Sequence, residues 1–300
     1  MKWKLFAGVC AAGLSGLLAL SSGQTKLAVK AAPPDETAVL VGAGDIADCA
    51  DLSGAEATAK LLEQIPGTVM AVGDLAYPDG SKKNFACYEQ TWGRVKARTR
   101  PAPGNHEFHA TGATPYFDYF GAAAGPRDGY YSYELGTWHI LALNSECKDI
   151  GGCGANSREV NWLRADLASH PAACTLAYFH KPLFSSGSAH GDDPEMKALW
   201  QALYDAGAEV VINGHDHNYE RFAPQNPDGG SDPARGIREF VVGTGGKGHR
   251  PMALLKPNSE SQNADTFGVL KLTLRVGAYD WQFIPEAGKS FSDSGSANCH

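Results

Sequence analysis

Seven side chains that could bind metal ions fall in five short blocks, and each block follows an apolar run typical of a β-strand. These side chains are Asp45, Asp74, Tyr77, Asn105, His180, His215 and His217. Carboxylate, amide and imidazole groups suit hard or borderline cations, and an acidic residue can bridge two of them. Two neighbouring ions neutralise charge on a phosphate ester and activate water for its hydrolysis. The residue types therefore favour a two-metal site that cleaves phosphate esters.

Each block is weak evidence when it is taken alone. An Asp in a Gly-flanked turn, such as Asp45, is more often a turn or helix-capping residue, and a single His such as His180 is more often a packing or loop residue. The sharpest block is Gly214-His-Asp-His217, where two imidazoles can face neighbouring ions. Because all five blocks fall at strand exits, their joint occurrence favours the metal site.

Tyr77 bears on which metals are bound. It follows Asp74 by three residues and can reach the same ion. A free phenol has a pKa of about 10, and a trivalent ion can remove its proton where a divalent ion rarely does. Tyr77 as a ligand therefore indicates Fe(III), with a divalent ion (Zn, Fe or Mn) beside it. Zinc or manganese at both positions is an alternative metal content. The simplest alternative for Tyr77 itself is a buried loop residue that binds no metal.

The pattern of strands and helices explains how distant ligands meet. The apolar run 38–41 predicts a strand ending before Asp45, residues 53–65 predict a helix with a capping box, and residues 68–72 predict the next strand. A crossover of this kind places the two strands parallel. The carboxyl ends that carry Asp45 and Asp74 then lie side by side.

The second half repeats this alternation and ends in antiparallel strands. Further strands are predicted at 138–143, 176–179, 209–212 and 241–242, and further helices at 156–169 and from 193 onward. Residues 268–276 and 279–284 predict a hairpin. The polar tail 290–300 is predicted to be irregular apart from Cys299.

The motif series resembles that of the calcineurin-like metallophosphoesterases. The matching residues are Asp45, Gly73-Asp-Leu-Ala-Tyr77, Gly104-Asn-His-Glu107, His180 and Gly214-His-Asp-His217. Tyr77 and Trp92-Gly-Arg94 are similar to the purple acid phosphatase branch. The resemblance covers about residues 38–246 and implies an α/β four-layer sandwich, in which two mixed β-sheets are flanked by helices.

The resemblance also implies a role for each residue. It places Asp45, Tyr77 and His217 on the ferric ion, Asn105, His180 and His215 on the divalent ion, and Asp74 between the two. A metal-bound hydroxide would attack phosphorus in line. His106 would contact the phosphate or protonate the leaving group, and His190, ten residues after His180, would be the leaving-group acid.

The expected function is that of a secreted phosphatase acting on phosphate monoesters. Two alternatives stay open. The first is a phosphodiesterase with the same metal centre, because the loops around the site decide the size of the leaving group. The second is a non-catalytic secreted metal-binding protein that retains the fold. The remaining histidines are assigned surface or packing positions: His109, His139, His170, His249 and His300.

Residues 1–32 differ in character from the rest of the chain. Lys2 and Lys4 give a basic start, residues 5–20 are apolar and small, and small polar residues follow, which predicts a cleaved secretory signal peptide. A retained transmembrane anchor is disfavoured, because the apolar stretch is shorter than the roughly 20 residues of a spanning helix. We expect residues 33–300 to form a single catalytic domain of a secreted or periplasmic protein.

Charge limits the possible partners. The 300-residue chain has 33 acidic and 26 basic residues and a net charge of −7, and removal of the four lysines before residue 33 would change the net charge to −11. Long-range repulsion then argues against nucleic acid or an anionic membrane as a partner. We expect a small phosphate ester as substrate and no stable membrane anchor after cleavage, and the sequence indicates no particular oligomeric state.

Cysteine usage agrees with an oxidising compartment. Cleavage would remove Cys10 and leave six cysteines, an even number that indicates disulfides. Cys147 and Cys153 flank a short Gly-rich loop, which favours their pairing. Cys49 and Cys87 follow two ligand blocks, and a disulfide between them would join the two loops. Six cysteines allow 15 pairings, so the sequence leaves the full connectivity open.

Overall fold

Two β-sheets packed face to face form the centre of the fold in the computed structural model, which describes residues 1–3 and 37–300. Most of the predicted signal peptide, including Cys10, lies outside the described residues. Within the described part of the chain, no helix combines the length and apolar character needed to cross a membrane.

The described residues contain fifteen strands and seven α-helices. In chain order the strands are β1 (Ala38–Ala43), β2 (Ala47–Asp48), β3 (Thr68–Val72), β4 (Ala76–Tyr77), β5 (Thr99–Ala102), β6 (Tyr131–Leu135), β7 (Trp138–Ala142), β8 (Cys174–Tyr178), β9 (Val210–Asn213), β10 (Tyr219–Phe222), β11 (Arg238–Val242), β12 (Ser259–Asn263), β13 (Gly268–Arg275), β14 (Ala278–Pro285) and β15 (Ser294–Asn298). The helices are α1 (Ser53–Gln64), α2 (Lys82–Gln90), α3 (Asn105–Phe108), α4 (Thr114–Phe120), α5 (Cys147–Ile150), α6 (Arg158–Ser169) and α7 (Lys197–Asp205).

Both large sheets are mixed. The first has the strand order β15-β14-β13-β1-β3-β5, and the second has the order β12-β10-β11-β9-β8-β7-β6. In the first sheet β1 pairs with β3 in parallel and with β13 in antiparallel fashion. In the second, β7, β8, β9 and β11 are parallel to one another. The parallel pairing of β1 and β3 around α1 confirms the predicted crossover.

Alternation along the strands of the second sheet separates two apolar cores. Ile140, Leu176 and Ile212 belong to the core between the sheets, whereas Leu141 and Val211 pack in a second core with helices α6 and α7. Helix α1 packs on the first sheet. The resulting order of helix, sheet, sheet and helix confirms the expected four-layer α/β sandwich.

The start of α1 differs from the predicted capping box. Ser53 is the first helical residue, and the N-cap, Leu52, makes no side-chain hydrogen bond. The carboxylate of Asp51 accepts the Ser53 N–H at 2.9 Å instead. Glu56 pairs with Arg94 at 2.7 Å. The predicted box was wrong because the preceding aspartate caps the helix and the glutamate has a partner on another element.

The tail predicted to be irregular contains a strand. Residues 294–298 form β15, which pairs antiparallel with β14 at the edge of the first sheet. Its backbone approaches Trp281 so closely that a Cβ at Gly295 would lie 2.2 Å from that ring. The prediction was wrong because an edge strand is held by backbone hydrogen bonds and needs no apolar alternation.

Three disulfides cross-link the described residues. The predicted pairs Cys49–Cys87 and Cys147–Cys153 are confirmed. The third, Cys174–Cys299, joins the start of β8 in the second sheet to the residue that follows β15 in the first. This bond closes a sequence separation of 125 residues, against 6 for Cys147–Cys153.

The two loop lengths predict unequal contributions to stability. In the chain-entropy model, the longer loop restricts the unfolded chain more, by about 2–3 kcal/mol. The double substitution Cys174→Ser/Cys299→Ser should therefore lower the free energy of unfolding by about that much more than Cys147→Ser/Cys153→Ser. Urea unfolding of both variants measures the difference, and equal losses would contradict the prediction.

Candidate metal centre

The five blocks meet where neighbouring strands end. Asp45, Asp74 and Asn105 follow β1, β3 and β5, which are adjacent in the first sheet, whereas His180 and His215 follow β8 and β9, which are adjacent in the second. Hydrogen bonds of Asp45 join two loops of the first sheet and link that sheet to the second. The Asp45 N–H donates to the Gly73 carbonyl at 3.1 Å, and the Asp45 carboxylate accepts the His215 N–H at 2.8 Å.

Three of the predicted ligands form one triangle of polar atoms. The Tyr77 hydroxyl lies 2.7 Å from Asp45 Oδ1 and 3.3 Å from His217 Nε2. Asp45 Oδ1 and His217 Nε2 are themselves 3.3 Å apart. These are the three residues that the family resemblance places on one ion.

Asp74 connects this triangle to a second group. Its Oδ2 lies 3.1 Å from the Tyr77 hydroxyl and 3.1 Å from His180 Nε2. His180 Nε2 in turn lies 3.1 Å from His215 Nδ1, and ligand atoms of Asp74, His180 and His215 are close enough together to share one cation. Asp74 Oδ2 therefore lies between the two groups of candidate ligands.

The donor atoms fit cations. Asn105 Oδ1 is buried and has no hydrogen-bond partner among the described residues, which is costly unless a cation or water satisfies it. Nδ1 of His180 contacts the Val72 carbonyl at 3.0 Å, and Nδ1 of His217 contacts the Gly248 carbonyl at 2.8 Å. These contacts orient both rings with Nε2 towards the cluster, as metal-binding histidines usually are.

Opposite charges are packed together with little access to water. Burial alone would raise the pKa of the Asp74 carboxyl, but His180 and His106 hold it well below its usual range. Burial alone would lower the pKa of His180, but Asp74 and Asp45 raise it to about 10. Burial and the neighbouring His180 lower the pKa of His215 to about 2. A cation bound here would displace the His180 proton, because a coordinating nitrogen is unprotonated.

The backbone is strained at three of these residues. The angle φ is 60° at Asp45, 51° at Asp74 and 71° at His215, in the left-handed region that residues other than glycine rarely adopt. Neighbouring glycines allow the close packing. A Cβ at Gly104 would lie 2.3 Å from Asp74 Oδ1, and one at Gly214 would lie 2.6 Å from Asp45 Oδ2. Strain of this kind is typical of functional sites.

Both predicted acid histidines lie beside the cluster. Nδ1 of His106 contacts the Pro78 carbonyl oxygen and so carries a proton, and its Nε2 lies 3.7 Å from Asp74 Oδ2. The His190 ring stacks on His215 with 3.9 Å between centroids, and burial lowers its pKa. Both line a cavity of about 220 Å³ over the ligands. A larger cavity of about 780 Å³ beside the Cys147–Cys153 disulfide contains none of the predicted site residues.

Glu107 supports the site, although the sequence assigned it no role. Its fully buried carboxylate accepts four backbone N–H groups, those of Asp74, Leu75, Ala76 and Gly104, at 2.8 to 3.2 Å. Glu107 therefore fixes the turn that carries Asp74 and also fixes Gly104, the residue before Asn105. No sequence signal separated it from the rest of its block.

Asp216 is a second residue whose role the sequence did not indicate. It lies between two candidate ligands in sequence, but its buried carboxylate accepts the Ser185 hydroxyl at 2.6 Å and the N–H groups of His190 and Gly191 at 3.2 and 2.9 Å. Asp216 thus positions the loop that carries His190.

A second cluster of histidines and carboxylates is satisfied without a cation. His139, Asp166 and His170 lie close together, and His139 is buried between Glu134 and Asp166. Its two ring nitrogens each contact a carboxylate oxygen at 2.7 Å. This agrees with the packing position expected for His139.

Glu107→Gln tests the supporting role of this residue. The amide can accept with one oxygen only and places an NH2 group against backbone N–H donors, so about 1–3 kcal/mol of unfolding free energy should be lost. Metal affinity should fall by roughly 10- to 100-fold. Urea unfolding and metal titration measure both effects, with the exposed Glu63→Gln as control. Unchanged metal affinity in Glu107→Gln would contradict the assignment.

Sequence comparison identifies the family. The pattern of the calcineurin-like phosphoesterases matches residues 28–219. Purple acid phosphatase 18 of Arabidopsis thaliana is 29% identical over 198 residues, which are 58% of this chain and 42% of that protein. Acid phosphatase A of Cryphonectria parasitica is 26% identical over 249 residues, 74% of this chain and 48% of that protein. The chain thus spans about half the length of the curated relatives it matches.

Solved structures share the fold at low identity. A purple acid phosphatase from yellow lupin seeds superposes with a TM-score of 0.71 at 18% identity, covering 87% of this chain and 54% of that one. GAP50, described as the anchor in the inner membrane complex of Plasmodium, superposes with a TM-score of 0.65 at 14% identity, covering 88% of this chain and 89% of that one. Taken with the matched family pattern, the chain belongs to the calcineurin-like phosphoesterases and is similar, within that family, to the purple acid phosphatases.

Proposed function

We propose that this chain is a secreted phosphatase that hydrolyses phosphate monoesters at a two-metal centre. One observation carries the proposal. Two groups of candidate ligands share Asp74, which contacts Tyr77 and His180 at 3.1 Å each and lines a cavity together with the two candidate acids, His106 and His190. Buried titratable groups with shifted pKa values are typical of functional sites.

In this proposal the ligands divide as the family resemblance implies. Asp45, Tyr77 and His217 hold one ion, Asn105, His180 and His215 hold the other, and Asp74 bridges them. Burial and the Asp45 carboxylate raise the pKa of Tyr77 well above its usual value, so a strongly charged ion is needed to bind it as a phenolate. This supports Fe(III) at the first position and a divalent ion at the second. When bound, the ions would supply charge neutralisation and water activation.

In this proposal, histidine side chains orient the phosphate ester and supply the proton to the leaving group. His106 is fixed through the Pro78 carbonyl, so its Nε2, when protonated, can donate to a phosphate oxygen. His190 lines the same cavity and is held by Asp216, which supports its role as the acid that protonates the departing alkoxide. Two such donors over a small cavity favour a monoester over a diester.

Secretion and domain boundaries belong to the same proposal. We place a signal peptide and a short leader at residues 1–32 and the catalytic domain at 33–300. The three disulfides support an oxidising compartment.

The direct test of the reaction compares kcat/KM for nitrophenyl phosphate and bis(nitrophenyl) phosphate, measured on the metal-replete mature protein in one buffer. We expect a monoester preference of about tenfold or more, which corresponds to about 1.4 kcal/mol of transition-state stabilisation. A diester preference would make the protein a phosphodiesterase, and no turnover of either ester would favour a metal-binding protein without catalysis.

The role of His190 predicts a dependence on the leaving group. A general acid matters most for poor leaving groups, so His190→Ala should lower kcat/KM for phenyl phosphate by about 100-fold and that for nitrophenyl phosphate by less than about tenfold. The distant, half-exposed His170→Ala is the matched control and should change neither value. Equal losses for both esters in His190→Ala would show that His190 is not the acid.

A further inference from the structure

Two basic side chains lie at the rim of the catalytic cavity. Lys247 and Arg250 follow β11 and line the cavity together with His106 and His190. Their backbone is bound to two candidate metal ligands. The Lys247 N–H donates to the Asp45 carbonyl at 2.8 Å, and the Arg250 N–H donates to the His217 carbonyl at 3.0 Å. These bonds fix the backbone of both basic residues beside the candidate metal ligands.

The two cations differ in whether they already form an ion pair within the protein. Lys247 forms an ion pair with Asp48 and lies 5.0 Å from the centroid of the Tyr77 ring. Arg250 is exposed and has no ion-pair partner in residues 37–300. Arg250 is therefore the cation available to a ligand in the cavity.

A second cavity adjoins the first at the same two side chains. It has a volume of about 360 Å³ and is also lined by His249 and Phe267. The His249 ring stacks on Phe267 with 4.1 Å between centroids, and neither of its ring nitrogens has a partner among the described residues. The cavity over the metal ligands thus continues past Lys247 and Arg250 into a second space that a larger ester could enter.

Two carboxylates also line this second cavity, and both are compensated. Asp48 is paired with Lys247, and Asp51 accepts the Ser53 N–H at the start of α1. The four charges sum to zero, and with Lys247 paired to Asp48, Arg250 is the cation at the rim with no ion-pair partner in residues 37–300, on a chain whose net charge is −7. An overall acidic protein repels a multiply charged substrate unless such local cations attract it.

We infer that Arg250 forms a second anion subsite beside the metal centre, and that the preferred substrates carry another anionic group, a carboxylate or phosphate, on the alcohol part of the ester. This inference rests on the proposed function, because it assumes that the scissile phosphate binds at the metal centre. Arg250 is a specificity residue in this account.

Two esters, one with a free carboxylate and one with that carboxylate methylated, test the subsite when their rate ratio is compared between the wild type and variants. For 4-carboxyphenyl phosphate and its methyl carboxylate ester, the wild-type protein should show a kcat/KM ratio of about five or more in favour of the free carboxylate, the size expected of a partly exposed ion pair. Arg250→Ala should bring the ratio to about one to two. Arg235→Ala, an exposed arginine away from both cavities, should keep the wild-type ratio. A ratio near one in the wild type, or one unchanged by Arg250→Ala, overturns the inference.

Binding of the matching phosphonates decides the inference without turnover. Calorimetry on the metal-replete protein should give a dissociation constant for 4-carboxyphenylphosphonate at least about fivefold below that of its methyl ester, and Arg250→Ala should remove the difference. Equal affinities, or no binding of either phosphonate, overturn the subsite. If neither phosphate ester is hydrolysed, the proposed function fails, and the phosphonate affinities still decide whether Arg250 binds the second anion.

Discussion

Two buried carboxylates that share one phenol set the constraint on which the site depends. Asp45 and Asp74 both contact the Tyr77 hydroxyl, at 2.7 and 3.1 Å, and almost no surface of either is exposed. Burying two such charges together is unfavourable unless positive charge lies between or beside them. Imidazoles supply part of that charge, and a pair of cations bound by the same atoms would supply the rest. The surrounding loops are arranged to keep these groups together.

The backbone of the ligand-bearing loops is fixed as firmly as the ligand side chains. Three candidate ligands have left-handed backbone angles, and Glu107 binds four N–H groups around two of the turns. On the opposite side, Asp216 binds the loop that carries His190. The strands position the candidate ligands at their ends, and buried carboxylates accept hydrogen bonds from the loops that follow those strands. This division is typical of sites on α/β folds, where strands position loops that carry the chemistry.

The sequence predicted the parts of the site that depend on local pattern and topology. The crossover from β1 through α1 to β3 required Asp45 and Asp74 to be neighbours, and the structure places them so. The sequence did not indicate the contacts of Glu107 and Asp216 or the role proposed for Arg250, because these depend on neighbours that only the folded chain brings together. The edge strand β15 escaped prediction for a related reason, since its pairing with β14 involves backbone groups that carry no side-chain signal.

The central claim is that the clustered residues form one two-metal site bridged by Asp74, and metal content tests it most directly. Elemental analysis of the mature protein from metal-replete medium should give about two transition-metal ions per chain, one of them iron, and Asp74→Asn should retain less than about one while it stays folded by circular dichroism. Two ions retained in Asp74→Asn, or a single ion in a fully active wild-type protein, would contradict the account.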